Sequence, residues 1–472
     1  MLEHLSERWT HYKGLWTAER PPGPSGNRLL GVMPTFRKDP LGSLERFQVD
    51  YGDIAAVRVG PIHIWLLNHP DLVEEVLLKQ QASFRKDPVT RSLSVMLGDG
   101  LLTSEGEHWR RQRRRCAPSL KRAHIQSYAD TMVRCALDGL GALPPGGVRN
   151  VHTDMMAVTL EIVAETLFGA AVDPKASRRV GEVLEFVMEA FIKDARSWRR
   201  FLPLWVPTRN RVEVKRAVAD IDTVLYDLIR KGRAAGGHGD HLLARLIEAR
   251  DEDGHTMDDE QLRDEAVTLF VAGHETTALT LSYALFAIAR DRSIQARLHE
   301  ELETVLAGRP ATAEDVGRLP WTSAIVSESL RLYPPAWAIG RQATEAVRLG
   351  DYTLPAGDQV MMSPWLLHRD PRWFDAPKAF TPERWLDGLA ERLPRFAYFP
   401  FGGGARICVG NHFAMMEAVL VLATWMQHVE VSMVPSFTLT LSPSVTLRPV
   451  HGVKLSVKRR DMVLPPATGA PR

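Results

Sequence analysis

The sequence predicts a mainly α fold carrying small β-sheets (α+β), and three observations lead there. One apolar-periodic stretch, about Asp259 to Arg290, is long enough for a helix of roughly 48 Å at 1.5 Å per residue. From Trp109 to about Ile229 the pattern is mainly helical, with breaks at Pro118, Leu143-Pro144-Pro145-Gly146 and Leu202-Pro203. Strand-like sequence is confined to short pieces, chiefly IAAVRVGPIHIWLLN (Ile54 to Asn68) and the late TLRPVHGVKLSVKR.

The composition bounds the class. The 472 residues are 45% hydrophobic and 25% charged, with a net charge of +2. Those proportions belong to an ordinary soluble globular protein and give no ground for nucleic acid or a membrane surface as partner. Length alone argues for two or three domains. No break resembles a linker, however, so a single large domain is expected over 27–460. It follows an amphipathic segment and Pro-rich hinge (1–26) and precedes a disordered tail (461–472). Cys116, Cys135 and Cys408 are too few for a disulfide framework and point to a reducing compartment, the cytoplasm; a monomer is expected.

MLEHLSERWTHYKGLWTAER has no apolar run and is neither a secretory h-region nor a membrane span. Leu2, Leu5, Trp9, Tyr12 and Trp16 recur at near-helical spacing; the stripe packs on the body, touches a membrane or covers a substrate entrance. PPGPSG then marks a hinge. Gly60-Pro61 splits the Ile54–Asn68 run into a hairpin, and Asn68-His69-Pro70-Asp71 has the form of a helix start. Residues 82–106 show no clear period and read as a long loop. GRAAGGHGD reads as a flexible loop, and an acidic run precedes the longest helix.

That helix is apolar on all sides except for one polar knot, Gly273-His274-Glu275-Thr276-Thr277. An acid and a histidine at mid-helix argue against a membrane span and for a buried core helix bearing a site. Thr276 and Thr277 can bond back to carbonyls one turn earlier, with a bulge or kink at Gly273. Glu275 with Thr276 makes an acid–alcohol pair able to relay protons; the plainer reading is a salt-bridged Glu275.

Four motifs carry the chemistry. In FPFGGGARICVGNHF, Cys408 sits where a loop gives way to a long helix whose free N–H groups would favour thiolate over thiol. Gly404 and Gly410 let the backbone run close to a flat ligand, and Arg406 can reach a carboxylate. AGHETT is the second motif. In the third, SESLRLYPP with FTPERW, Glu328 and Arg331 share a helix face and Arg384 can complete a triad. In the fourth, WRRQRRRCAPSL, Trp109 and Arg113 share a face, with Arg110, Arg111, Arg114 and Arg115 turned to solvent.

F-x-x-G-x-R-x-C-x-G (Phe401, Gly404, Arg406, Cys408, Gly410) resembles the haem-ligand loop of the cytochrome P-450 family. AGHETT resembles its oxygen-activating A-G-x-[DE]-T-T, and ExxR, PERW and W-x-x-x-R follow in the family's order. The likeness covers about residues 27–460 and identifies a soluble bacterial-type member; the one departure is Leu120, where the family often has phenylalanine. It implies the cytochrome P-450 fold, a long central helix over a haem with a proximal cysteine loop. Haem b (iron protoporphyrin IX) would be the cofactor and O2 the co-substrate.

On that resemblance Cys408 is the metal ligand, and Trp109, Arg113, Arg341 and Arg406 contact the propionates. Phe401 and Gly410 belong to the ligand loop, Ala272 and Gly273 lie on the haem face, and Thr276 and Glu275 are catalytic. Glu328, Arg331 and Arg384 are structural. The implied activity is insertion of one oxygen atom into an apolar small molecule, by C–H hydroxylation or epoxidation. Electrons would come from a ferredoxin or flavodoxin with its reductase, docking on the basic face of the Trp109 helix. An O2-independent peroxygenase or isomerase and a non-catalytic haem sensor are the rival classes. The pocket is expected along Val95–Leu102, Val187–Ile192, Leu269–Ala272, Ala336–Ile339 and Val445. Fatty acid, terpenoid, steroid and polyketide are left as substrate classes.

Overall fold

Gly60 takes a φ of +61° and turns Ile54–Val59 back onto Ile62–Leu67, as the Gly60-Pro61 break predicts. The hairpin seeds a five-stranded sheet in the order Ile54–Val59, Ile62–Leu67, Gln359–Met362, Ile339–Ala343, Phe84–Lys86. All pairings are antiparallel except Ile62–Leu67 with Gln359–Met362, where Trp65 faces Val360 in register. Trp65, Leu67, Val76, Leu77, Phe396 and Phe399 are among the buried side chains that close its core.

This computed structural model describes residues 20–144, 146–169, 181, 183, 186, 187, 189, 190, 208–234, 236 and 239–460. The amphipathic stripe before residue 20, the tail after 460, the Leu202-Pro203 break and part of the Val187–Ile192 stretch fall outside them. The chain forms two compact units: 1–92, 330–380 and 387–408 in one, and 93–329, 381–386 and 409–472 in the other. The sheet above belongs to the first.

The second unit is chiefly helical, built from Gly106–Cys116, Ala129–Gly141, Val151–Phe168, Arg209–Ala234, Asp259–Arg290, Arg292–Leu306 and Asn411–His428. Asp259–Arg290 has the bounds the sequence predicts, and its ends show why. Asp258 accepts Gln261 N–H at the start, acidic residues fill the first turn, Arg290 stands in the last, and Asp291 caps the next helix. These charges complement the helix dipole at both ends. Among the described residues no helix is long and apolar enough to cross a membrane.

One reading is corrected here. Residues 82–106 are not a featureless loop; they hold strand Phe84–Lys86 and short helices Pro88–Ser92 and Ser94–Leu97. The stretch that follows is seated on the long helix. Asp264 accepts the Asp99 N–H at 2.6 Å, and Glu265 accepts that of Leu101 at 3.1 Å. Arg263 joins Asp264 to Asp222 of the Arg209–Ala234 helix. The proline break at 144 is followed by a strand, Gly146–Asn150, which pairs with Lys454–Arg459.

The helix Pro320–Leu332 carries the ExxR pair. Glu328, wholly buried, accepts from Thr381 N–H (2.8 Å), Arg384 Nε (3.2 Å) and Trp385 Nε1 (2.9 Å). Arg331 donates to the carbonyls of His368, Pro377 and Ala379, each at 2.7 Å.

Candidate active site

The cysteine loop is shaped by turns. Phe399 N–H donates to His368 Nε2 at 2.9 Å, and Gly402 and Gly404 take φ of +71° and +66°. Cys408 N–H then donates to Phe401 O at 2.9 Å, joining two residues of the motif. Arg406 ends the single turn Gly404–Arg406, half-buried, while Arg341 lies buried on Ile339–Ala343 and donates to Gly340 O at 2.7 Å. Of the three cysteines only Cys408 is exposed. Burial pushes the Cys135 thiol up to about 12 and the Cys116 thiol well up, so neither suits a ligand's role.

Gly404 and Gly410 of the loop have different surroundings. A Cβ on Gly404 would lie 1.7 Å from Leu77 O, so its freedom serves the protein's own backbone packing. Gly410, at φ −95°, N-caps Asn411–His428 and would meet nothing within 4 Å of a Cβ.

On the long helix, exposure in an otherwise buried middle centres on Ala272, which is exposed, with Leu269, Val271, Gly273 and Thr276 half-buried around it. Gly273 also packs closely against Val151–Phe168, where a Cβ would come within 3.2 Å of Val163. Thr276 Oγ1 donates back to Ala272 O at 2.7 Å, yet the helix runs unbroken through the knot. Thr277 does not bond back; its buried hydroxyl has no partner among the described residues. Glu275 is held in an ion pair with Arg448 and accepts from Thr446 Oγ1 at 2.9 Å. Burial lowers the neighbouring His274 and His152 to about 4, so both are neutral near pH 7.

Trp109 and Arg113 are half-buried on Gly106–Cys116, and Arg110, Arg111 and Arg114 are exposed. Arg115 is not. It is buried and paired with Asp251 at 2.5 Å and with His255 O at 2.9 Å, because the 250–256 turn packs over that side. Arg110 and Arg114 are themselves paired, with Glu107 and Glu252.

These groups suit a haem. An exposed cysteine stands just before a helix N-terminus, and the long helix leaves a stripe open where the rest is packed. Arginine is the side chain whose fork geometry fits the two haem carboxylates. The profile of the family described as cytochrome P-450 matches residues 21–455.

The chain belongs to the cytochrome P-450 family. This cytochrome P-450 is an oxidoreductase, a haem-thiolate monooxygenase that uses haem b and O2 on a small-molecule substrate with electrons from a redox partner. It is 37% identical to cyclooctatin synthase of Streptomyces melanosporofaciens, over 85% of this chain and 87% of that one. It is 34% identical to cyclooctat-9-en-7-ol 5-monooxygenase of the same organism, over 90% and 92%. Against pentalenene oxygenase of Streptomyces avermitilis the figures are 31%, 85% and 87%.

Sequence reasoning missed Arg448 and Thr446 beside Glu275, and two buried acids, Glu265 and Glu417. Neither carboxyl oxygen of Glu417 has a hydrogen-bond partner among the described residues, and burial raises it to about 8; Thr277, whose hydroxyl stops short of a bond, only partly offsets this. Nothing local marks these residues, since each is defined by distant neighbours.

Proposed function

We propose that Cys408 binds the haem iron as thiolate, in an enzyme that oxygenates a cyclic terpenoid. The observation that carries the reading is the exposed Cys408 thiol just ahead of the Asn411–His428 helix, in a loop whose residues match the family's ligand pattern. Haem, when bound, supplies the activation of O2, which thiolate ligation favours. The protein's part is to bind, orient and move protons. Trp109, Arg113, Arg341 and Arg406 donate to the propionates, Phe401 and Gly410 flank the ligand, and Ala272 and Gly273 offer a small surface to the ring. Thr276 Oγ1 passes on a proton that Glu275 takes from solvent.

The terpenoid class rests on the names of the relatives, two of which denote oxygenation of cyclooctat-9-en-7-ol and of pentalenene. The aliphatic character of Leu97, Leu101, Leu102, Leu269, Val271 and Val445, which share one apolar cluster, fits such a ligand. An acidic ferredoxin or flavodoxin is the proposed donor, with the exposed Arg111 as its main contact, and the chain works as a cytoplasmic monomer.

The reduced carbon monoxide complex of the wild type should show the red-shifted Soret band of thiolate ligation, and Cys408→Ala should lose it. Retention of that band by the variant removes Cys408 as ligand. Soret titrations with cyclic terpenoids, fatty acids, steroids and polyketides decide the substrate class. Arg111→Glu should slow reduction by an acidic ferredoxin several-fold at low salt, where screening is weak, and leave dithionite reduction unchanged.

A further inference from the structure

Phe396 stands where a glycine would be usual. It is the third residue of the turn Pro394–Ala397, closed by Ala397 N–H onto Pro394 O at 2.9 Å, and its φ is +67°. Bulky side chains avoid that region. Among the described residues the other non-glycines with positive φ, Ala307 and Ala376, are both alanines. Such strain persists only where the surroundings hold it, so the contacts of the Phe396 ring matter. They lead to the cysteine loop. A Cβ on Gly403 would fall 2.0 Å from Phe396 Cε1, so the buried ring lies directly against the loop backbone. The same ring meets Phe399 edge to face, with centroids 6.2 Å apart.

Phe399 is held from a second side. Its N–H donates to His368 Nε2 at 2.9 Å, and its ring meets the imidazole edge to face at 5.5 Å. Tyr398 closes on the imidazole at 5.0 Å. A ring nitrogen that accepts carries no proton, so the imidazole is neutral with its proton on Nδ1. The surroundings enforce that state: His368 is wholly buried, and burial first, then Arg331 and Arg369, push its pKa well down. Nδ1 has no hydrogen-bond partner among the described residues, so the polar work of this ring is its grip on Phe399. From Phe399 the bonds run on to the cysteine. Gly402 N–H donates to Phe399 O, and Cys408 N–H to Phe401 O, each at 2.9 Å. All these residues belong to the first compact unit.

We propose that His368 and Phe396 are positioning residues for the haem ligand. His368 takes the leading N–H of the loop, the strained turn of Phe396 sets a flat ring against Gly403, and together they hold Cys408 where a thiolate ligand is needed. This rests on the reading of Cys408 as the iron ligand.

The Soret band of the reduced carbon monoxide complex reports the state of the ligand without turnover. In urea too dilute to change the far-ultraviolet circular dichroism, the wild type should pass slowly from the red-shifted thiolate band to the unshifted one. His368→Leu keeps bulk but offers no acceptor, and should speed that passage by about tenfold, the effect of one orphaned buried donor. His368→Gln, whose amide oxygen reaches the same N–H, should recover most of the wild-type lifetime. Gly403→Ala drives a methyl group into the Phe396 ring and should also speed the passage several-fold. Gly403→Ala combined with Phe396→Leu should be slower than Gly403→Ala alone, because the smaller side chain gives way.

A wild-type lifetime in His368→Leu, or a His368→Gln as fast as His368→Leu, overturns the proposal. Should neither His368 variant take up haem, the second pair decides: a double variant as fast as Gly403→Ala alone overturns it. Failure of the ligand reading shows separately, as a red-shifted band retained by Cys408→Ala.

Discussion

Glu328 and Glu275 are both buried, both charged partners of an arginine, and held in very different ways. The donors to Glu328 include the Thr381 N–H and Arg384 on Oε1 and the Trp385 indole on Oε2, so that both oxygens are engaged. Glu275 takes two donors, both on Oε1 and both from one short hairpin. With both oxygens engaged by donors of several kinds, no single thermal excursion frees Glu328. A carboxylate gripped on one side can turn away when the hairpin gives.

The largest expected effect tests the fixed end of that contrast. Glu328→Ala removes the fully buried carboxylate that Arg384 and the Trp385 indole share and should cost about 3–5 kcal/mol, read as a fall in thermal or denaturant midpoint. A loss under about 1 kcal/mol would mean that Glu328 is no better fixed than a surface pair.

Glu417 extends the comparison to a buried acid that has only the Thr277 hydroxyl beside it among the described residues. Its carboxyl, raised by burial from an ordinary 4.5 to about 8, keeps a proton in the folded state that the unfolded chain releases. Between these two pH values the folded form binds the extra proton, so this group's contribution to stability falls as pH rises and levels off above about 8. Glu417→Gln abolishes the slope, and its stability relative to wild type should grow by a few kcal/mol between about pH 4.5 and pH 8. Paired unfolding curves across that range check it. A parallel response would show that the wild-type carboxyl finds a donor after all.

Thr276→Ala removes one back-bond from a helix that does not need it, so stability should change by less than about 1 kcal/mol. Product formed per nicotinamide consumed should nevertheless drop, with peroxide released in its place. Unchanged coupling would take Thr276 out of the relay. Smallest of all, Arg110→Ala deletes an exposed pair with Glu107 and should alter stability by only a few tenths of a kcal/mol.

What the sequence makes legible follows from locality. The long helix carries its own caps and charges, the hairpin its own Gly-Pro turn, and the cysteine loop a spacing confined to ten residues; all three are where the pattern places them. Strand Gly146–Asn150 escapes because the sequence there shows only a break in a mainly helical stretch, and its pairing with Lys454–Arg459 makes it a strand. Arg115 reads as solvent-facing from helical angle alone, yet the 250–256 turn buries it. Arg448 is 173 residues from Glu275, and no local pattern announces such a contact. The site's residue types were readable; their restraints, which come from distant segments, were not.

The seat of residues 98–101 on the long helix bears on how this enzyme can be redesigned. Gly98, at φ +60°, has no room for a side chain, since a Cβ would fall on the Asp264 carboxylate at 2.1 Å, and one on Gly100 would meet Thr268 Oγ1 at 2.3 Å. Asp99 and Leu101 in turn commit their backbone N–H groups to Asp264 and Glu265. A mutant library aimed at new substrates would waste its members on Gly98 and Gly100, and a one-residue insertion there would take the backbone donors from Glu265 and from Asp264, which would keep its pair with Arg263. Diversity belongs instead at Val95, half-exposed on the preceding turn, and at Leu102, just beyond the seat.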